Sequence, residues 1–286
     1  MVKPKIGVVG NGFVGKALVR GFMLDADIKI HDKFQSDTDS LEKTVAHSNY
    51  IFLCLPTPMK SVEGGEIDLS TMNSVVEEIS SEIAGSDKIL IIKSTVIPGT
   101  TQSYIDKYKS VRFCFCPEFL TARQAHLDFI NAARHIFGGH PDITKELDTQ
   151  LFRPRFPGGH FFHTDPTSAE LVKYMSNLFF AVKIAFCNEF YDIINAFGCD
   201  YSKIQAMVLA DGRIGNSHMT VPSQSDGLRG FGGTCFPKDM NAMIHLCKKM
   251  GIPTDILEAA WKNNLRVRED YDWGRSKSAV SKPQES

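Results

Sequence analysis

The 286-residue chain has no uninterrupted apolar run approaching the roughly 18–20 residues of a membrane-spanning helix. Its N-terminus, Met1-Val2-Lys3-Pro4-Lys5, leads through a short glycine-containing run into a glycine-rich turn. A secretory signal needs a longer hydrophobic segment and a small-residue cleavage site. Neither sign of charge dominates: 32 Lys+Arg against 33 Asp+Glu leave a formal net charge of −1. That balance excludes a generally basic nucleic-acid binder and an acidic disordered chain. The seven cysteines are odd in number, scattered and without CxxC spacing, which argues against a disulfide framework or a structural zinc site. His160 and His163 have ligand-like spacing but no third ligand nearby, so no metal is expected. No internal repeat is present. The expectation is a reduced, cytoplasmic protein without nucleic-acid or membrane partners, long enough for two domains.

What is there has two characters. Compact apolar runs at 5–9, 28–31, 50–55, 89–92 and 111–116 alternate with helical patterns at 14–24, 70–84 and 101–108. Further strands are expected at 134–138 and 161–163. Such alternation predicts an α/β, Rossmann-like, doubly wound parallel sheet over residues 1–165. After about residue 165 the chain reads as helical. Apolar residues recur at helical spacing over 167–197, Asp200 is placed to cap 202–209, Pro237 to open 238–250, and Asp255 to cap a last helix to about Arg268. An all-helical domain is therefore expected over 166–270, followed by a frayed polar tail over 271–286.

Gly10-Asn11-Gly12-Phe13-Val14-Gly15 is G-x-G-x-x-G between a predicted strand and a predicted helix, with Asp32 closing the next strand. Gly10 suits the tight turn, Gly12 the close approach of a pyrophosphate, and Gly15 helix–strand packing. Phe13 and Val14 complete the loop at the helix N-terminus, which faces the negative charge. Asp32 would accept hydrogen bonds from a ribose diol and repel a 2′-phosphate, favouring NAD, although neighbouring Lys33 softens that repulsion. Thr57 and Thr95, at the ends of predicted strands, fit the rule that ligands bind at carboxyl ends of parallel strands. The same loop nearly spells a P-loop, Gly10-x-x-x-x-Gly15-Lys16, but Ala17 lacks the hydroxyl that would hold magnesium.

Gly230-Phe231-Gly232-Gly233-Thr234-Cys235-Phe236-Pro237-Lys238-Asp239 is the most informative segment. A thiol ahead of a proline-initiated helix has its thiolate favoured by the helix dipole and by nearby Lys238. The plainer reading is a buried structural cysteine. Together with GNGFVG, Pro56-Thr57-Pro58, Ser94-Thr95-Val96-Ile97-Pro98-Gly99-Thr100, Pro117-Glu118-Phe119-Leu120, the helix over 170–189 and Arg213-Ile214-Gly215, this segment resembles the UDP-glucose/GDP-mannose dehydrogenase family over roughly residues 4–270.

The resemblance implies a four-electron oxidation of a nucleotide-sugar primary alcohol to a uronic acid, with NAD as cofactor. Cys235 would carry a thiohemiacetal and then a thioester. Lys173 and Asn177, four apart on one helix face, match the family's oxyanion-stabilising pair. Asp239 and Thr95 match the groups that orient water, and Glu118 the acid implicated in thioester hydrolysis. Glu118, Phe119, Leu120, Phe231 and Gly232 would face the sugar. Related enzymes dimerise through the central helix, and Arg213 matches an arginine that reaches the partner's substrate. A homodimer is expected accordingly.

The chain departs from the family's pattern in three places. No counterpart of the family's third domain is expected after residue 270. The approach to the cysteine, Pro222-Ser223-Gln224-Ser225-Asp226-Gly227-Leu228-Arg229, is not the usual short glycine-rich one, and Thr121-Ala122-Arg123-Gln124 replaces the more usual Arg-Glu-Gly. Two other readings stay open. One is a two-electron dehydrogenase of the 3-hydroxyacid or 6-phosphogluconate kind. The other is a non-catalytic truncated protein that binds NAD.

Overall fold

The structure is a computed structural model that describes residues 3–61, 65–121 and 123–281. The chain forms two compact units: Met1–Thr57 with Leu69–Lys173, and Pro58–Asp68 with Tyr174–Ser286. Ala122 and the last part of the expected tail, 282–286, lie outside the described residues. No helix among those described is long and apolar enough to cross a membrane.

The first unit is built on a seven-stranded sheet: β1 (Lys5–Val9), β2 (Asp27–His31), β3 (Tyr50–Leu53), β4 (Ile89–Ile92), β5 (Arg112–Phe115), β6 (Arg134–Gly139) and β7 (His160–Thr164). Their order is β2-β1-β3-β4-β5-β6-β7. Its helices are α1 (Phe13–Phe22), α2 (Leu41–His47), α3 (Ser70–Ile83), α4 (Thr100–Lys107), α5 (Ala125–Ile130), α6 (Pro141–Glu146) and the short α7 (Arg153–Arg155), the last two joined by a π-helical stretch, Leu147–Phe152. Both sheet faces are covered, so alternate side chains of one strand enter different cores. Phe52, Ile91, Cys114 and Phe137 pack in one cluster with Phe22, Phe129 and Phe152. Ile51, Leu53, Ile92, Phe113 and Ile136 pack in the other with Val76, Ile79 and Tyr104. This two-sided burial explains why the strands read as continuous apolar runs.

The parallel expectation holds for the first five strands. It needs correction at β6, which runs antiparallel to β5 through Cys114↔Gly139 and Phe115↔Gly138. The chain re-enters the sheet at the edge it has just left, so α5 need not cross over to make a parallel strand. The strand order reverses between β1 and β3, and the glycine loop and the segment after β3 both leave the sheet at that switch point.

The second unit contains most of α8 (Pro166–Ala196), with α9 (Tyr201–Leu209), α10 (Phe236–Met250) and α11 (Asp255–Val267). Asp200 caps α9 by accepting from the Lys203 amide at 3.2 Å. The last helix differs in detail: Thr254 is its N-cap, and Asp255 is its first helical residue. By packing, the chain divides within α8, between Lys173 and Tyr174. The reason is that the first two turns of α8 pack within the first unit, with Ala169 in the Ile136 cluster.

The tail expectation is corrected over 271–281. Asp272–Arg275 forms a 3₁₀ turn, and Trp273, Ala279 and Val280 are buried with Met59 against Trp261. The Met59 amide donates to Ala279 O at 2.7 Å, and the Ser281 amide donates to Met59 O at 2.8 Å. A few apolar side chains suffice because the Pro58–Asp68 segment supplies both a backbone partner and an apolar one. Trp273→Ala should therefore destabilise the protein by about 3–5 kcal/mol, read as a lowered midpoint in denaturant unfolding. A change below about 0.5 kcal/mol, the size usual for surface substitutions, would show that the turn is not anchored.

Candidate functional site

The glycine loop follows directly from backbone sterics. Gly10 has φ of +97°, and a Cβ there would lie 2.5 Å from Cys54 O. A Cβ on Gly15 would lie 2.1 Å from Gly10 O. At Gly12, the N-cap of α1, a Cβ would meet nothing within 4 Å. The loop thus leaves open space in front of the first-turn amides of Phe13, Val14 and Gly15, which have no intrahelical acceptor. That cradle fits a pyrophosphate.

Asp32 lies beside the loop, with its carboxylate already engaged. One oxygen accepts from the Asn11 amide at 2.7 Å, the other from the Phe34 amide at 2.9 Å. Asn11 Nδ2 donates to Gln35 Oε1 at 2.7 Å, closing a clasp between the turns after β1 and β2. An ionised carboxylate has about four acceptor positions, so each oxygen keeps one for a ribose hydroxyl. Lys33 is exposed next to it. The sequence reading missed Asn11 and Gln35, whose only signal was proximity to the motif.

Thr57 is buried and donates from Oγ1 to Thr95 O at 2.6 Å, so the two threonines at strand ends meet. Lys93 is buried and donates to Cys116 O and Pro117 O, each at 3.1 Å. It ties the loop after β4 to the loop after β5. Lys173 donates to Glu118 Oε1 at 2.8 Å and to Glu118 O at 2.7 Å, both residues being buried. The second Glu118 oxygen accepts from the Leu120 amide at 2.7 Å. The Lys173 ammonium lies 5.6 Å from the centre of the Phe119 ring. Glu118, Phe119, Leu120, Lys93 and Arg134 line a cavity of about 430 Å³ in the first unit.

In the second unit, Asn177 Nδ2 donates to Asp239 Oδ2 at 2.6 Å, and Lys238 Nζ donates to Asp239 Oδ1 at 2.5 Å. All three are buried. Lys173 and Asn177 lie one turn apart on α8, and each meets its own carboxylate partner. Cys235 is the N-cap of α10, half-buried, with Thr234 Oγ1 3.8 Å from its sulfur. The Asp239 amide donates to Cys235 O at 2.8 Å, so the thiol and the Asp239 carboxylate belong to one helical turn. The loop before the cysteine is held by residues that the sequence reading did not single out. Asn264 accepts from the Phe231 amide at 2.6 Å and donates to Phe231 O at 3.0 Å, and Asn188 accepts from the Gly230 amide at 3.2 Å. The Gly233 amide, beside Gly232, donates to Asp272 at 2.9 Å.

The cysteines in or beside the strands have different surroundings. Burial pushes the Cys54 thiol up to about 12, and raises Cys114 and Cys116 as well. Arg213 is exposed and forms a local pair with Asp211 at 2.5 and 2.6 Å. Among the described residues no group of three or more His, Cys, Asp and Glu could hold a metal. His163 instead meets Asp148 at 3.1 Å.

The family profile for the NAD-binding domain of UDP-glucose/GDP-mannose dehydrogenases matches residues 23–155, and the profile for the central domain matches 167–266. The UDP-glucose 6-dehydrogenase of Rickettsia felis is 34% identical over 232 residues, 79% of this chain and 50% of that protein. The chain spans about half the length of the curated relatives it matches. A solved UDP-glucose dehydrogenase from the archaeon Pyrobaculum islandicum aligns with a TM-score of 0.78 at 25% identity, covering 92% of this chain and 68% of that one. A 3-hydroxyisobutyrate dehydrogenase of Mycobacterium tuberculosis shares the fold at 13% identity, with a TM-score of 0.72 and coverage of 94% and 95%. With the NAD-binding profile over its first half and the central-domain profile over its second, the chain belongs to the UDP-glucose/GDP-mannose dehydrogenase family.

Proposed function

We propose that the protein is an NAD-dependent nucleotide-sugar dehydrogenase that converts a primary alcohol, as in UDP-glucose, to the carboxylate. The observation that carries this reading is the buried Lys238–Asp239–Asn177 chain, one helical turn from Cys235. Gly10, Gly12, Phe13, Val14, Gly15, Asp32, Lys33, Thr57 and Thr95 would hold NAD, and two NAD molecules in turn would accept the two hydrides.

In this reading Asp239 and Thr95 orient the water and the sugar hydroxyl, while Lys173 and Asn177 donate to the oxygen on which charge develops. The Cys235 sulfur attacks the aldehyde carbon, giving a tetrahedral thiohemiacetal whose C–H bond can then be oxidised. The resulting thioester is cleaved by water, which returns the thiol and releases the acid, with Glu118 assisting. Glu118, Phe119, Leu120, Phe231 and Gly232 are the sugar contacts. The seven free thiols support a reducing, cytoplasmic setting.

Assembly belongs to the same proposal. On α8, Met175, Phe179, Phe186 and Phe190 are exposed while Leu178, Ala181 and Ala185 are buried, so the helix is apolar on two sides. A second copy of the chain would cover the outer side, and Arg213 would leave Asp211 for the partner's sugar or phosphate.

Four measurements test the reading. Wild-type protein given UDP-glucose should form two NADH per sugar consumed, and Cys235→Ser should lose turnover or stall after the first oxidation. One NADH per substrate with a fully active serine variant would favour the two-electron alternative. NAD should bind more tightly than NADP, and Asp32→Ala should narrow the gap; a wild-type preference for NADP refutes the assignment of Asp32. Sedimentation at micromolar concentration should show a dimer, and a clean monomer rules it out. If the Arg213→Ala and Cys235→Ser chains are each inactive, mixing them with subunit exchange should restore one working site per heterodimer.

A further inference from the structure

We infer that Glu170 is a positioning residue whose buried carboxylate fixes loop 94–101, and through it Thr95, onto the helix that carries Lys173. Glu170 is completely buried. One of its oxygens accepts from the Gly99 amide at 2.6 Å, and the other from the Thr101 amide at 2.9 Å. These amides belong to the N-terminus of α4, whose N-cap is Gly99 at φ +94° with no side-chain cap of its own. A helix start that needs only satisfied amides is ordinarily capped by its own Ser, Thr, Asp or Asn. Here the acceptor is a charged group imported from α8, one turn before Lys173. A buried carboxylate is costly unless fully hydrogen-bonded, and the positive end of the α4 dipole adds to the compensation.

The remainder of the loop is tied equally firmly. Lys93, at its start, donates to Cys116 O and Pro117 O, and Ser94 Oγ donates to Leu55 O at 2.7 Å. Thr95 O accepts from Thr57. These fasteners hold the loop to neighbouring strand ends. Glu170 holds it to α8, so a shift of that helix moves the loop and Lys173 together. The functional part of this inference rests on the role given to Thr95 above.

The full chain is compared with Glu170→Gln, which keeps the shape but turns one acceptor into a donor facing an amide. Hydrogen exchange should quicken about tenfold in 94–101, the loss expected for a hydrogen bond to a charged group, with strand 50–53 unchanged. The NAD dissociation constant should rise several-fold, and kcat should fall while KM for UDP-glucose stays the same. Unchanged exchange in 94–101 overturns the inference. So does a lowered Tm with faster exchange everywhere and unaltered NAD affinity, which is what a merely structural residue would give. Should the Gln variant not fold, Glu170→Asp keeps the charge but shortens its reach, and the same outcomes apply. A wild-type chain that turns over no nucleotide sugar would defeat the proposed function, while loop exchange and NAD affinity would still decide the role of Glu170.

Discussion

Three buried polar side chains on α8, Glu170, Lys173 and Asn177, must each find a partner away from their own helix, and the arrangement around them follows from that requirement. Glu170 is satisfied by amides at the start of α4, Lys173 by Glu118 after β5, and Asn177 by Asp239 on α10. Their spacing of three and four residues aligns them along one stripe of the helix. Removing one member of a buried charged pair leaves the other uncompensated, at a cost of about 3–5 kcal/mol. Within the first unit, the loops after β4 and β5 are thereby tied to the first turns of α8.

Cysteine chemistry divides along burial. Cys54, Cys114 and Cys116 lie in or beside strands, where loss of water keeps their thiols protonated. Cys235 instead starts a helix, is only half-buried, and is followed one turn later by Asp239. A thiolate is favoured near a helix N-terminus and disfavoured in an apolar strand. Burial in the sheet thus keeps the strand thiols inert, a constraint that does not act on a half-buried thiol at a helix start. Asn264 and Asn188 contribute by fixing the backbone of the loop that delivers it.

The glycine loop was legible because its constraints are local. Gly10 and Gly15 are required by contacts within a few ångströms of the turn itself. The carboxylate of Asp32 was legible in position but not in its bonding, since its acceptance from Asn11 depends on two turns meeting across neighbouring strands. Lys173 and Asn177 were visible as a helix-face pair. Nothing in their spacing revealed that each would be buried against a separate carboxylate.

The sequence by itself determined the alternation of strand and helix, the nucleotide turn, the long central helix and the cysteine ahead of a proline-initiated helix. These rest on periodicity and on steric rules that act within a few residues. Tertiary structure alone decided that β6 runs antiparallel, that Pro58–Asp68 joins the second unit, and that Trp273, Ala279 and Val280 bury an outwardly polar tail. It also decided which buried charges pair. Those outcomes depend on contacts between residues far apart in the chain, where the desolvation of a polar group or the burial of a few apolar ones is settled only once the partner surface exists.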